Sequence, residues 1–150
     1  MKIFSSLLFV SLLMMSSISV AQELDYFDMD DYKWQNRVLL IFSPNTYNPQ
    51  YRAQVETLKN KRSGINERDL KIFYVLEQSS ASVKDALIPD DASKELRNDF
   101  DIPQADYAVI LIGKDGTEKL RTGEALSTDK LFKKIDSMPM RKLEMQDDGN

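Results

Sequence analysis

Neither cysteine nor histidine occurs anywhere in the 150 residues. Without cysteine there is no disulfide, no thiolate nucleophile, no thiolate metal site and no cysteine for lipid attachment. Without histidine the chain lacks the side chain whose unperturbed pKa sits nearest neutrality, and with it the commonest ligand for zinc, copper and non-haem iron. Any general base must then be a carboxylate, lysine or tyrosine shifted by burial or by a neighbouring charge. Positive charge is also in short supply, with 20 basic residues against 24 acidic ones and a net charge of −4. That balance argues against nucleic acid and other polyanions as partners.

What is present fits one domain: 42% hydrophobic and 29% charged residues is globular usage, enough for a single modest core. Residues 1–21 read differently. Lys2 opens them, an apolar stretch interrupted by serines comes next, and Ser19-Val20-Ala21 supplies small residues where a signal peptidase cuts. The serines make the segment a poor membrane span, so cleavage after Ala21 is expected, leaving a secreted or periplasmic chain with no stable span. Cleavage removes one lysine and no acid, so 19 basic residues then face 24 acidic ones and the charge becomes −5.

Residues 22–36 (QELDYFDMDDYKWQN) form an acidic, aromatic lead-in expected to dock Tyr26, Phe27 and Trp34 on the body. Counted from Asp28 it fails as a calcium loop: Lys33 stands at the sixth position, where glycine is needed, and Leu39 at the twelfth, where glutamate is needed. The residues call for no metal and no cofactor. VLLIF at 38–42 is continuously apolar, which predicts a mid-sheet strand covered on both faces. Asn48 caps a following helix with Pro49 in its first turn, Tyr51, Val55 and Leu58 share one stripe, and Gly64 is read as its end. LKIFYVL at 70–76 supplies a parallel strand. After an irregular stretch with a short helix around Val83, Leu87 and Ile88, Asp90 or Asp91 caps a helix bearing Leu96 and Phe100. YAVILI at 107–112, the turn Lys114-Asp115-Gly116 and residues 117–122 predict a hairpin. Ser127 caps the last helix, and Pro139 is read as its stop. There is no internal repeat. The order β-α-β-α-β-β-α, with a mixed sheet of about four strands between helical layers, predicts an α/β thioredoxin-like fold over residues 37–145, with 146–150 a polar tail.

Four blocks carry a family resemblance: WQNRVLLIFSP, ERDL, LIGKDGTEKLR and IDSMPMRKLEM. Together they resemble the DUF4174 group, bacterial secreted or envelope thioredoxin-like domains of unknown function related to domains of animal extracellular matrix proteins. The resemblance covers residues 33–145 and implies the fold without an activity. Against the thioredoxin pattern F-x-x-x-W-C-G-P-C, Phe42 matches the phenylalanine and Asn48-Pro49 the Gly-Pro, while Tyr47 and Gln50 occupy both cysteine positions. Phe42-Ser43-Pro44 with Thr46 also resembles the opening of a peroxidatic loop, again without its cysteine. Thiol-disulfide exchange needs a thiolate, so that reaction is excluded. The usual cis-proline position holds Ala108, with Pro103 five residues early.

Candidate binding residues are therefore Thr46, Tyr47, Asn48 and Gln50, at a strand mouth and a helix N-terminus where N–H groups favour anions or carboxylates. Arg68 and Asp69 are added as a charge cluster that pairs internally or with Arg37, read first as a structural tie between loops. The Met-rich tail, with Met138, Met140 and Met145 around Arg141 and Glu144, is read as sealing the core. The leading function is a redox-inactive module binding an unknown envelope protein or small molecule. The alternative is a cysteine-independent envelope enzyme using tyrosine and carboxylates among Asp69, Asp106 and Asp136. Sequencing of the exported protein is expected to begin at Gln22; a membrane-retained chain starting at Met1 would contradict the cleavage.

Overall fold

The computed structural model describes residues 27–77 and 88–147. The expected signal segment, the lead-in residue Tyr26, the short helix expected at Val83 and Leu87, and residues 148–150 of the tail lie outside the described residues.

A 3-10 turn at Met29–Tyr32 precedes strand β1, Arg37–Ser43. Helices α1 (Pro49–Leu58) and α2 (Arg62–Glu67) lead to β2, Leu70–Leu76. Helix α3 (Asp90–Asp99), the hairpin of β3 (Ala108–Ile112) and β4 (Glu118–Thr122), and helices α4 (Thr128–Asp136) and α5 (Pro139–Asp147) complete the chain. The strand order is β2-β1-β3-β4, with β1 parallel to β2 and antiparallel to β3. This is the mixed four-stranded sheet expected from the element order.

All seven residues of β1 and all five of β3 are buried, as continuous apolar runs require. Alternation divides them between two cores. Leu39, Ile41, Val109 and Leu111 pack with Tyr51 and Leu58 of α1 and with Leu131 and Ile135 of α4. Val38, Leu40, Phe42 and Ile110 pack on the opposite face with Leu96 of α3 and with Phe27 and Tyr32 of the lead-in. Phe27 and Tyr32 both meet the Phe73 ring edge-on, with centroids 4.9 and 5.0 Å away.

Four local expectations are corrected. Trp34 does not dock; its backbone turns left-handed (φ 65°) and its side chain is 63% exposed. Gly64 does not end the helix after Asn48. That helix ends at Leu58, where Lys59 turns extended (ψ 136°) and Asn60 adopts the left-handed conformation (φ 61°) that asparagine tolerates, closing a turn from the Lys61 N–H to the Leu58 carbonyl, and Gly64 lies inside α2. A Cβ on Gly64 would stand 2.6 Å from the Phe132 ring, so glycine there allows α2 to approach α4. Pro89 holds the N-cap position of α3, and no side chain caps that helix; Asp90 and Asp91 lie in its first turn instead. Pro139 starts α5, since a ring that lacks N–H costs nothing in a first helical turn. The tail is accordingly helical to Asp147.

Leu131 is 0% exposed at the centre of the first core. Leu131→Ala is expected to lower the unfolding free energy by about 3 kcal/mol, read as a shifted urea midpoint with unchanged slope.

Candidate functional site

The six candidate residues fall at opposite ends of β1. Arg68 and Asp69 sit beside its first residue, where the Arg37 N–H donates to the Asp69 carbonyl at 2.9 Å. Thr46, Tyr47, Asn48 and Gln50 come after its last, so about 20 Å of strand separates the groups. They make two sites.

The loop end is held by its own polar groups. The Ser43 hydroxyl donates to the Asn45 carbonyl at 2.7 Å, and Asn45 Oδ1 accepts the Tyr47 N–H at 2.9 Å. Asn48 Oδ1 accepts the N–H groups of Gln50 and Tyr51 at 2.9 and 3.2 Å. Pro49 has no N–H, and the Arg52 N–H goes to the Asn48 carbonyl. The donors expected to attract an anion are therefore already taken by the cap. Gln50 Oε1 accepts the Ala125 N–H at 2.8 Å and ties the loop to the segment after β4. Buried Gln54 repeats the tie one turn on: its amide accepts the Leu126 N–H at 2.6 Å and donates to the Leu126 carbonyl at 3.0 Å. Tyr47 alone among these side chains stands clear of the body, 82% exposed.

The opposite end is an ion-pair network. Arg37, 1% exposed, presents both Nη atoms to the Glu144 carboxylate at 3.2 and 3.1 Å and also donates to the Arg68 carbonyl at 2.9 Å. Lys114 Nζ lies 2.8 Å from both Asp69 and Glu144. Arg68 pairs with Asp136 at 2.7 Å and stacks on Phe132, and buried Arg141 reaches Glu67 at 2.8 Å and Asp136 at 3.4 Å. Arg68 and Asp69 thus act as a tie: their side chains pair with Asp136 and Lys114 and not with each other, while the Arg37 guanidinium reaches Arg68 through its carbonyl. Burial alone would raise the Glu144 carboxyl, but hydrogen bonds and charge from Arg37 and Lys114 outweigh it and hold it below the usual range. Burial likewise opposes the Lys114 ammonium, and Asp69 and Glu144 overcome it and raise its pKa.

The carboxylates proposed for acid-base chemistry are not paired with each other. Asp69 and Asp136 each face cations, and Asp106 is exposed in the loop before β3, its charge acting on Arg97. Burial pushes the Tyr107 phenol up, and that phenol donates to Gln54 Oε1 at 3.4 Å, away from any base. No group of three or more acidic residues able to hold a metal occurs among the described residues. The tail also differs from expectation: Met138 is buried, but Met140 and Met145 are exposed, because Arg141 and Glu144, three apart, take the inward face of α5. Charge pairing docks the tail; methionine does not seal it. Sequence reasoning missed Lys114 and Glu144, and the available signal was Arg37, a cation opening an apolar run.

A mixed four-stranded sheet with helices on both faces and a capped helix after β1 defines a thioredoxin-like domain, here one without thiols. Solved structures agree in fold. Prx1a of Plasmodium yoelii superposes with a TM-score of 0.61 at 20% identity, over 77% of this chain and 80% of its own. The thioredoxin domain of a Bacteroides vulgatus thiol-disulfide oxidoreductase superposes with 0.52 at 16% identity, over 71% and 81%. The chain matches the domain of unknown function DUF4174 over residues 28–144 and belongs to that family. It is also 26% identical over 120 residues to the rat Sushi repeat-containing protein SRPX, covering 78% of this chain but only 26% of the rat protein.

Glu144→Gln keeps the shape and removes the counter-charge of a buried arginine. It is expected to cost about 3 kcal/mol, toward the low end for a broken buried pair because the Glu144 side chain is 24% exposed. The depressed carboxyl also stabilises the wild type above its ordinary pKa of 4.5, and that contribution is lost as pH falls through its lower folded value. Urea midpoints of wild type and variant should therefore converge as pH falls below the ordinary carboxyl value of 4.5.

Proposed function

We propose that the chain is a secreted or periplasmic, redox-inactive interaction module, residues 37–145 behind the lead-in 22–36, that engages a partner through the loop around Tyr47. One observation carries this reading: an aromatic ring 82% exposed on a loop whose backbone is pinned on either side by Asn45 and Asn48. Asn45 and Asn48 hold the backbone that carries the ring, and an aromatic side chain with two rotatable bonds offers a large contact area at small cost in conformational entropy, which is what an interface anchor supplies. Small-molecule sites are concave, whereas this ring projects, so a protein is the better-suited partner. Thr46 flanks the ring as a secondary contact, while Asn48 and Gln50 hold the loop's shape. Secretion is supported by the pattern of residues 1–21, and no helix among the described residues is long and apolar enough to cross a membrane.

Tyr47→Ala should shift stability by no more than about 0.5 kcal/mol, since the side chain packs against little. In affinity capture from envelope extract, a specific partner retained by wild type should be lost by this variant. Equal capture by both would refute the Tyr47 surface, and turnover of insulin disulfides by the pure protein would refute the redox-inactive reading.

A further inference from the structure

The sheet has two edges, and they differ in character. β4 is edged with Glu118, Lys119 and Arg121, two of them locked in a pair at 2.7 Å, and its ladder to β3 carries an irregularity at Leu111/Ile112. Charge and bulging are the devices that keep an edge from pairing with another chain. β2 has no bulge and a single charge, Lys71, and its core-facing row of Leu70, Ile72, Tyr74 and Leu76 is uncharged. Its backbone direction is set by two bonds to β1: the Asp69 carbonyl accepts from Arg37, and the Glu77 N–H donates to Ser43 at 3.3 Å. Odd-numbered residues therefore turn toward β1, and Leu70 and Ile72 turn N–H and C=O outward. The Ile88 N–H already donates to the Tyr74 carbonyl at 3.3 Å on that outer row, and nothing among the described residues pairs with Leu70 and Ile72.

Beside this stretch runs a groove of about 380 Å³ between β2 and helices α1 and α2. Its half-buried apolar side chains are Val55, Ile65 and Ile72, and its lining includes Lys59, Arg62 and Lys71 but no acid. In a chain with a net charge of −4 this lining is cationic, although Lys59 also pairs with Glu56 at 3.5 Å.

We propose that the outer edge of β2 at Leu70 and Ile72 accepts an extended segment of another protein in which acidic and apolar residues alternate. Outward backbone groups supply strand-type hydrogen bonds, as in β-strand addition, and the alternation of an added strand sends its apolar residues into the groove. Its acids then lie on the Phe73 side of the sheet, where they meet Lys71. A second copy pairing edge to edge is disfavoured, because a two-fold contact sets the two cationic rims against each other. The site is independent of the Tyr47 loop, which lies past the far end of β1.

The probe is a terminally blocked peptide alternating Glu and Val, titrated into the isotope-labelled protein, with a Lys-Val peptide as its charge opposite. Amide shifts and slowed hydrogen exchange are expected at Leu70 and Ile72 with the Glu-Val peptide, unchanged in Tyr47→Ala. The variant Lys71→Glu alters an exposed residue and should weaken binding roughly fivefold; about 0.5 M salt should do the same. An equal response to the Lys-Val peptide, no response at Leu70 and Ile72, or edge protection that grows with protein concentration alone would each overturn the proposal.

Discussion

Burying seven consecutive residues, the first of them an arginine, is the constraint on which most of this structure depends. A strand covered on both faces can hold Val38 through Phe42 without cost, but Arg37 carries its charge into the same layer at 1% exposure. An uncompensated guanidinium there would cost several kcal/mol, so a carboxylate must come to it. Glu144 comes from α5, 107 residues later, and its arrival fixes the last helix. Lys114 in the hairpin turn and Asp69 before β2 complete the neutralisation, and a second pairing of Arg141 with Glu67 and Asp136 holds α5 from its other side. One end of the sheet thus becomes an electrostatic floor joining the turn before β2, the hairpin and the two C-terminal helices.

The opposite end of β1 shows how the same strand can finish without charge. Ser43 is fully buried and returns its hydroxyl to the chain at Asn45, after which Asn45 and Asn48 each satisfy backbone donors that the turn and helix would leave open. Gln50 and Gln54 then clasp the segment before α4 through its backbone. In a thiol enzyme of this fold, donors at the start of α1 help to hold a thiolate. Here they are consumed by amide side chains, so losing the sulfurs accompanies a change in what the helix terminus is used for. Its polar groups now hold a shape.

The legible part of this design was the part written in local patterns. The continuity of VLLIF and AVILI, the Asn48 and Ser127 caps and the Lys114-Asp115-Gly116 turn each depend on neighbours within a few residues, and the structure keeps all of them. Errors arose where one residue type serves two purposes. Gly64 reads as a terminator but is spaced for Phe132, Pro139 reads as a stop but opens a helix, and Trp34 reads as core but rides on a left-handed turn. The ion network was illegible for a different reason. Four of its pairs lie 45 to 107 residues apart, and no local pattern records which carboxylate answers which cation.

The two surfaces left available are of different physical kinds. At the mouth of β1 the loop hydrogen bonds are made internally, so the partner proposed there would meet a projecting ring and desolvate it, an interaction with little sensitivity to salt. At the edge of β2 the outward backbone groups lack a described partner, so the segment proposed there would pair as a strand with charge as a selector. Both proposed surfaces follow from the closure of the fold itself: β1 and β3 are spent on the core and β4 carries charges at its edge, which leaves the loop tip and the edge of β2 among the described surfaces. Neither surface depends on sulfur; each is set by where the sheet ends.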